Sequence, residues 1–139
     1  MHPIRRINTI FLYVRDLAAA KHFYSETLGF GKPVIDGRFW VEFKLPDGDT
    51  HFALHHSESH AHADHAHGTI MLSFEVTDIH KLAAQLKESG VKFHYEPRKE
   101  YGFWLAEFED IEGNVLRLYQ KLHPHERAES SQRKLGGSA

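Results

Sequence analysis

The chain has 139 residues, of which 41% are hydrophobic and 26% charged, with a formal net charge of -2; this suits one globular domain with a buried core. Near-neutral charge argues against nucleic acid as the main partner, and no stretch approaches the roughly 18 apolar residues of a membrane span. The absence of cysteine excludes disulfides and thiolate chemistry, and the N-terminal arginines precede no signal-type apolar core, so we expect a cytoplasmic protein.

The first part of the chain predicts one strand, one helix and three further strands. Residues 7–14 are β-branched and aromatic, which is typical of a strand. Asp16 is then placed as the N-cap of a helix that ends at Leu28, and Gly29 as its stop signal. The remaining strands are predicted over residues 32–35, 39–45 and 50–56, with a Pro-Asp-Gly turn at 46–48.

The same order of elements is predicted a second time. Asp78 repeats Asp16 at an offset of 62, and Gly113 repeats Gly48 at an offset of 65. Two copies are too few for a solenoid and indicate a paired architecture with a binding surface between the copies. The second set of elements is a strand over 69–76, a helix over 78–89, strands over 91–96, 103–109 and 114–120, and a turn at 110–113.

Two polar segments lie outside these copies. The connection, residues 57–68, contains His60, His62, His65 and His67, part of a total of 13 histidines. Histidine-rich tracts can bind metal, but the interspersed Ala, Ser and Gly make ordering costly and favour a solvated linker. Residues 121–139 form a polar tail without apolar periodicity, which we expect to be flexible or loosely packed.

Alternation along the strands separates two faces of each predicted sheet. The positions facing the helices are consistently apolar, whereas the other face mixes charges, imidazoles and aromatic rings, as a solvated face or the wall of a ligand cleft would. The side chains predicted to bind a ligand are Thr9, Phe11, Tyr13, Trp40, Glu42, His51, His55, Trp104, Glu107, Arg117 and Tyr119.

Five short motifs, taken in order, carry a family resemblance. They are FLYVRDL at 11–17, FY at 23–24, LGF at 28–30, FEV at 74–76 and DIEGNVLRLYQ at 110–120. Over roughly residues 5–120 the chain resembles the vicinal oxygen chelate superfamily of glyoxalases, bleomycin-resistance proteins, fosfomycin-resistance enzymes and extradiol dioxygenases. The resemblance implies an α+β fold: two βαβββ modules, about 5–56 and 69–120, whose mixed sheets curl around a shared cleft with the helices on the outer face. It also implies a homodimer, commonly completed by module swapping.

The resemblance implies a metal position as well. Enzymatic members hold one divalent metal with His and Glu side chains from the first and last strands of each module, and the metal binds two substrate oxygens. The corresponding residues here are not usual metal ligands. They are Thr9, Ala53, Met71 and Arg117.

Arg117 changes the expected ligand. A guanidinium at a metal position would repel a cation and attract a carboxylate or phosphate, unless it pairs with Glu107 or Glu109 on the neighbouring strand. A relocated metal site stays open, because side chains two residues apart on one strand lie within reach of one ion. Its ligands would be His51, His55, Glu42 and Glu107.

Three functions therefore remain open, and whether the protein is an enzyme is undecided. The first is binding, without a cofactor, of a small anionic or aromatic-bearing molecule in the inter-module cleft, with Arg117 as anchor and aromatic side chains as walls. The second is a metal-dependent lyase, isomerase or dioxygenase that uses a divalent metal at the relocated site. The third is a dimeric interaction module, which would have no well-formed cavity.

Overall fold

The computed structural model describes residue 3 and residues 5–58 and 70–127. The chain divides into two compact units, which are unit 1, made of Met1–Thr69 and Asp110–Asn114, and unit 2, made of Ile70–Glu109 and Val115–Ala139. The predicted histidine linker from residue 59 onward lies outside the described residues. None of the helices in the described ranges has the length and apolar character needed to cross a membrane.

Unit 1 contains one four-stranded mixed sheet. Its strands are β1 (Thr9–Val14), β2 (Ile35–Asp36), β3 (Trp40–Phe43) and β4 (His51–His56). They lie in the order β1-β4-β3-β2, with β1 parallel to β4 and the other pairs antiparallel. The predicted N-cap is confirmed, because the Asp16 side chain accepts a hydrogen bond of 3.0 Å from Ala19 N. Between β1 and β2 the chain forms α1 (Leu17–His22) and a π-helical turn (Phe23–Thr27).

The predicted α-helix to Leu28 is wrong in its last part. Leu28 N donates to Phe23 O at 2.8 Å, which is the wider i→i+5 bond of a π-helix. Ser25 Oγ also donates to Lys21 O at 2.6 Å, so a side chain competes for a carbonyl of the last α-helical turn. The wide turn buries the consecutive aromatic residues Phe23 and Tyr24 together with Leu28.

Unit 2 repeats this topology. Its strands are β5 (Leu72–Glu75), β6 (Phe93–Glu100), β7 (Phe103–Glu109) and β8 (Val115–Lys121). They lie in the order β5-β8-β7-β6, with β5 parallel to β8 and the other pairs antiparallel. Asp78 caps its helix by accepting a bond of 3.1 Å from Lys81 N. The predicted α+β class and the repeated βαβββ order are thus confirmed. The helix between β5 and β6 is α2 (Ile79–Glu88).

The core of unit 2 follows the two periodicities of helix and strand. On α2 the buried residues are Ile79, Ala83 and Leu86, which share one helix face. On β8 Leu116 and Leu118 are buried, while the residues between them are partly exposed. This alternation confirms the predicted helix-facing positions of β8 and leaves the opposite face free for a site.

A turn from the second half of the sequence completes unit 1. Tyr24 Oη donates to Asp110 Oδ2 at 2.7 Å, and both residues are buried. Burial and the neighbouring Asp110 carboxylate raise the pKa of Tyr24 well above its usual value. The Glu112 carboxylate accepts bonds of 2.7–2.9 Å from the backbone N–H groups of Arg15 and Asp16. Besides forming the predicted turn, the Asp-Ile-Glu-Gly-Asn motif therefore helps to complete unit 1, a role that sequence reasoning did not assign.

The prediction of a loosely packed tail from residue 121 is wrong for its first residues. Lys121 ends β8, Leu122 is only 3% exposed, and residues 124–127 are helical. Glu126 accepts a hydrogen bond of 2.8 Å from Trp104 Nε1. One buried leucine and one tryptophan partner anchor this segment, and neither produces a periodic pattern. Residues 128–139 lie outside the described residues.

Candidate functional site

Unit 2 contains a cavity on the sheet face opposite to the buried side chains of β8. Its volume is about 440 Å³, within the range of about 300–1,000 Å³ that is typical of small-molecule sites. The lining combines two cations with aromatic, apolar and hydroxyl side chains and includes no acidic residue. The lining residues are Ser73, Tyr101, Phe103, Leu105, Arg117, Tyr119 and Lys121.

Arg117 is one of the two charged residues of the cavity wall, and its pairing is incomplete. Its Nη2 lies 3.9 Å from Glu107 Oε2, which is longer than a hydrogen bond, and its buried Nε has no hydrogen-bond partner. Glu107 also neighbours Tyr95, its register partner on β6, and the pKa of Tyr95 is raised by burial and by this carboxylate. The predicted Arg117–Glu107 pair thus exists, but the guanidinium keeps N–H donors for an oxyanion.

Aromatic side chains form another part of the cavity wall. The rings of Phe103 and Tyr119 meet edge to face, with centroids 5.8 Å apart. Phe103 is 37% exposed, so part of its ring is available to a ligand. Tyr119 Oη donates to Glu75 Oε1 at 3.2 Å, and burial together with Glu75 raises the pKa of Tyr119. A neutral phenol thus lies beside the cation, and the cavity offers both an anion-binding group and a stacking surface.

The duplication explains why the cavity lies in unit 2. Ser73 on β5 pairs in register with Arg117 on β8, as Phe11 on β1 pairs with Ala53 on β4. Ser73 and Phe11 therefore occupy equivalent positions, as do Arg117 and Ala53. A small hydroxyl in unit 2 replaces a phenyl ring in unit 1, which leaves open space beside the guanidinium.

The equivalent face of unit 1 is filled by its own rings. Phe11 lies 5.1 Å from Trp40, 5.5 Å from Tyr13 and 5.9 Å from His55, measured between ring centroids. Trp40 pairs with His55 as Leu105 pairs with Tyr119, so an indole in unit 1 corresponds to a leucine in unit 2. The predicted ligand-binding aromatic side chains of unit 1 are thus brought together, but they pack on one another.

The predicted relocated metal site is not assembled. His51 Nδ1 donates to Glu42 Oε2 at 2.5 Å, and Trp40 Nε1 donates to Glu42 Oε1 at 2.9 Å. The bond from His51 is the main cause that lowers the pKa of the Glu42 carboxyl. His55 instead donates through Nδ1 to the carbonyl of His56 at 2.8 Å. Within residues 5–58 and 70–127, no group of three or more His, Cys, Asp or Glu side chains could hold a metal ion.

The family's metal positions do not fit a metal either. Ala53 is buried and offers only a methyl group, and Arg117 carries a positive charge. The Thr9 hydroxyl accepts a bond of 2.9 Å from Asn8, and Met71 is exposed. This donor set lacks the imidazole and carboxylate ligands that a catalytic divalent metal requires.

Trp104 was predicted to bind a ligand near the rim of the cleft, but its side chain lies elsewhere. Its ring lies 4.5 Å from His80 on α2, and its Nε1 bonds to Glu126, so it lies on the helix side of the sheet. Alternation from the buried Ala106 would have indicated this, because positions two apart on a strand share a face. Five residues that line the cavity were not among the predicted ligand-binding residues, although Phe103 was expected near the rim of the cleft. They are Ser73, Tyr101, Phe103, Leu105 and Lys121.

The chain matches the model of the Glyoxalase/Bleomycin resistance protein/Dioxygenase superfamily over residues 6–118, and it belongs to this superfamily. It is 35% identical over 120 residues to the uncharacterized protein YurT of Bacillus subtilis (strain 168), across 79% of this chain and 94% of YurT. The family resemblance seen in the motifs is therefore confirmed.

Solved structures show the same relationship. The fold is similar to that of TnmS3, an antibiotic binding protein from Streptomyces sp. CB03234, with 26% identity, a TM-score of 0.71, and coverage of 88% of this chain and 100% of TnmS3. A superfamily member from Sphaerobacter thermophilus DSM 20745 is also 26% identical, with a TM-score of 0.68 over 85% of this chain and 98% of that protein.

Proposed function

We propose that this protein binds a small anionic molecule bearing an aromatic group in the cavity of unit 2, with Arg117 as the anion anchor. The observation that carries the proposal is the cavity of about 440 Å³, in which an incompletely paired guanidinium and aromatic rings line one space. The similarity to TnmS3, an antibiotic binding protein, supports binding of a small organic molecule. The homodimer and the shared cleft remain predictions.

The charges around the cavity favour an anion over a cation. Arg117 and Lys121 belong to the lining, whereas the nearby carboxylates of Glu75 and Glu107 do not. Lys121 Nζ lies 4.0 Å from Glu75 Oε2, which is again too long for a hydrogen bond. A carboxylate on the ligand would form bonds of about 2.7–2.9 Å to these cations.

A pair of isosteric probes tests the anchor. Naphthalene-2-carboxylate and naphthalene-2-carboxamide share a ring system and differ in charge, and isothermal titration calorimetry gives the Kd of each. We expect wild-type protein to bind the carboxylate about 10-fold more tightly, since a charged hydrogen bond contributes about 1.5 kcal/mol. Arg117→Gln should abolish this preference.

Lys87→Gln provides the matched control, because it removes the same charge from α2, where Lys87 is exposed and bonds to Glu96. That variant should keep the wild-type preference. Equal affinity of the wild type for both probes, or an undiminished preference in Arg117→Gln, would contradict the proposal. Repeating the titration with Mn²⁺ tests the metal-dependent alternative, which predicts tighter binding that is lost in His51→Ala.

A further inference from the structure

Tyr101 has an unusual backbone conformation. Glu100 and Phe103 are paired at the end of the β6–β7 hairpin, so Tyr101 and Gly102 alone form the turn. Their φ angles are +54° and +79°, and two-residue hairpin turns with two positive φ angles strongly prefer Asn-Gly. Tyr101 is the only non-glycine residue with a positive φ in the part of the chain that the structure describes.

Stability of the fold does not explain a tyrosine here. A side chain in the left-handed region brings its Cβ close to the following carbonyl, which is unfavourable for all residues except glycine and, to a lesser degree, Asn and Asp. Burial of the ring does not compensate, because Tyr101 is 86% exposed. Because strained backbone conformations cluster at functional sites, this outlier motivates a functional hypothesis for Tyr101.

The position of the turn suggests that role. Phe103 pairs with Lys121, the last residue of β8, so the turn lies beyond the end of this strand pair. Tyr101 nevertheless lines the cavity, together with Phe103. The left-handed backbone thus holds an exposed aromatic ring at the mouth of a cavity whose wall is also aromatic.

We infer that Tyr101 contacts the ligand directly and stacks on its aromatic group, which selects planar aromatic anions over saturated ones. The inference rests on the proposed function and adds a second recognition element to it. Tyrosine suits this task, since its rigid ring has few rotatable bonds and loses little conformational entropy on binding. Arg117 would select the charge of the ligand, and Tyr101 its planarity.

The test compares Tyr101→Asn and Tyr101→Phe with wild type, using naphthalene-2-carboxylate and its saturated decahydro analogue as probes. Tyr101→Asn should bind the aromatic probe about 3- to 10-fold more weakly, as expected for loss of one aromatic pair, and should bind the saturated probe with unchanged affinity. Because asparagine suits the turn, the Tm of Tyr101→Asn should be about 3 °C higher than that of wild type. Tyr101→Phe keeps the ring and should behave as wild type toward both probes.

The outcomes separate this inference from the proposed function. If Tyr101→Asn binds the aromatic probe as tightly as wild type while Arg117→Gln binds it weakly, the inference is overturned and the proposed function stands. If Tyr101→Asn lost equal affinity for both probes, the inference would also be overturned, since the ring would then not recognise planarity. If wild-type protein binds neither probe, both proposals fail.

Discussion

Replacing Ser73 with phenylalanine should close the unit 2 cavity without weakening the fold. Unit 1 already carries this residue at the equivalent position, Phe11, on a strand with the same topology. There the ring packs against Trp40 and Tyr13 at 5.1 and 5.5 Å. A phenyl ring at Ser73 would lie beside Arg117, its register partner.

The expected loss of affinity follows from the cavity volume that the ring would fill and from the contacts to Arg117 that it would block. A benzene-sized site occupies about 150 Å³, which is about a third of the cavity of about 440 Å³. The lost volume lies next to the guanidinium, so a bound carboxylate would lose charged hydrogen bonds that contribute about 1.5–3 kcal/mol. The Kd for naphthalene-2-carboxylate should therefore rise about 10- to 100-fold. The free energy of unfolding should stay the same or rise by about 1 kcal/mol, since the new ring would be half-buried.

Two measurements check this prediction. Calorimetric titration gives the Kd, and urea denaturation followed by circular dichroism gives the free energy of unfolding. The reverse variant, Phe11→Ser, should be destabilised by about 1–2 kcal/mol and should keep the wild-type Kd. A Ser73→Phe variant that folds normally and binds the probe like wild type would refute the assignment of this cavity as the site. An unfolded variant would refute the equivalence of the two faces.

Two further predictions concern unit 1. Tyr24→Phe should lower the free energy of unfolding by about 1.5–2 kcal/mol, because the hydroxyl makes a buried hydrogen bond to the Asp110 carboxylate. Urea denaturation measures this loss, and a loss below about 0.5 kcal/mol would argue against a hydrogen bond to a charged group. Glu42→Gln should lower the free energy of unfolding by about 1–2 kcal/mol at neutral pH, because the hydrogen bond from His51 favours the ionised carboxyl of Glu42. Since this bond lowers the pKa of Glu42 below its ordinary value of 4.5, the stabilisation is fully present above pH 4.5 and lost as the pH falls through the folded-state pKa. A difference in the free energy of unfolding between wild type and Glu42→Gln that persists well below that pKa would contradict this assignment.

Much of the fold could be predicted because its signals are local and repeated. Asp16 and Asp78 each bond to a backbone N–H three residues later, which is a signal contained within one turn. The alternation of Leu116 and Leu118 with polar residues is equally local. The Tyr24–Asp110 hydrogen bond joins residues 86 positions apart, and no short motif predicts such a pair. Leu122 is a single buried residue without periodic neighbours, so the sequence did not reveal its packing.

The candidate site was only partly predictable. Arg117 and Tyr119 were expected from the alternation of β8, and both line the cavity. Tyr101 was not expected, because the predicted strand ended at Glu96 while β6 extends to Glu100, and the two-residue turn exists only in that longer register. The cavity itself depends on which of two equivalent positions carries the smaller side chain, and this becomes apparent only when the register of both sheets is known.

The chain passes between the units more than once, since unit 1 is made of Met1–Thr69 and Asp110–Asn114. A fragment that ended at residue 69 would therefore bury the Tyr24 hydroxyl without its acceptor and leave the amides of Arg15 and Asp16 without Glu112. A single cut between the two halves of the sequence would therefore separate unit 1 from a turn that satisfies its buried tyrosine hydroxyl and two of its backbone amides. The first half of the sequence is not a self-sufficient structural unit, although it contains one full copy of the repeated elements.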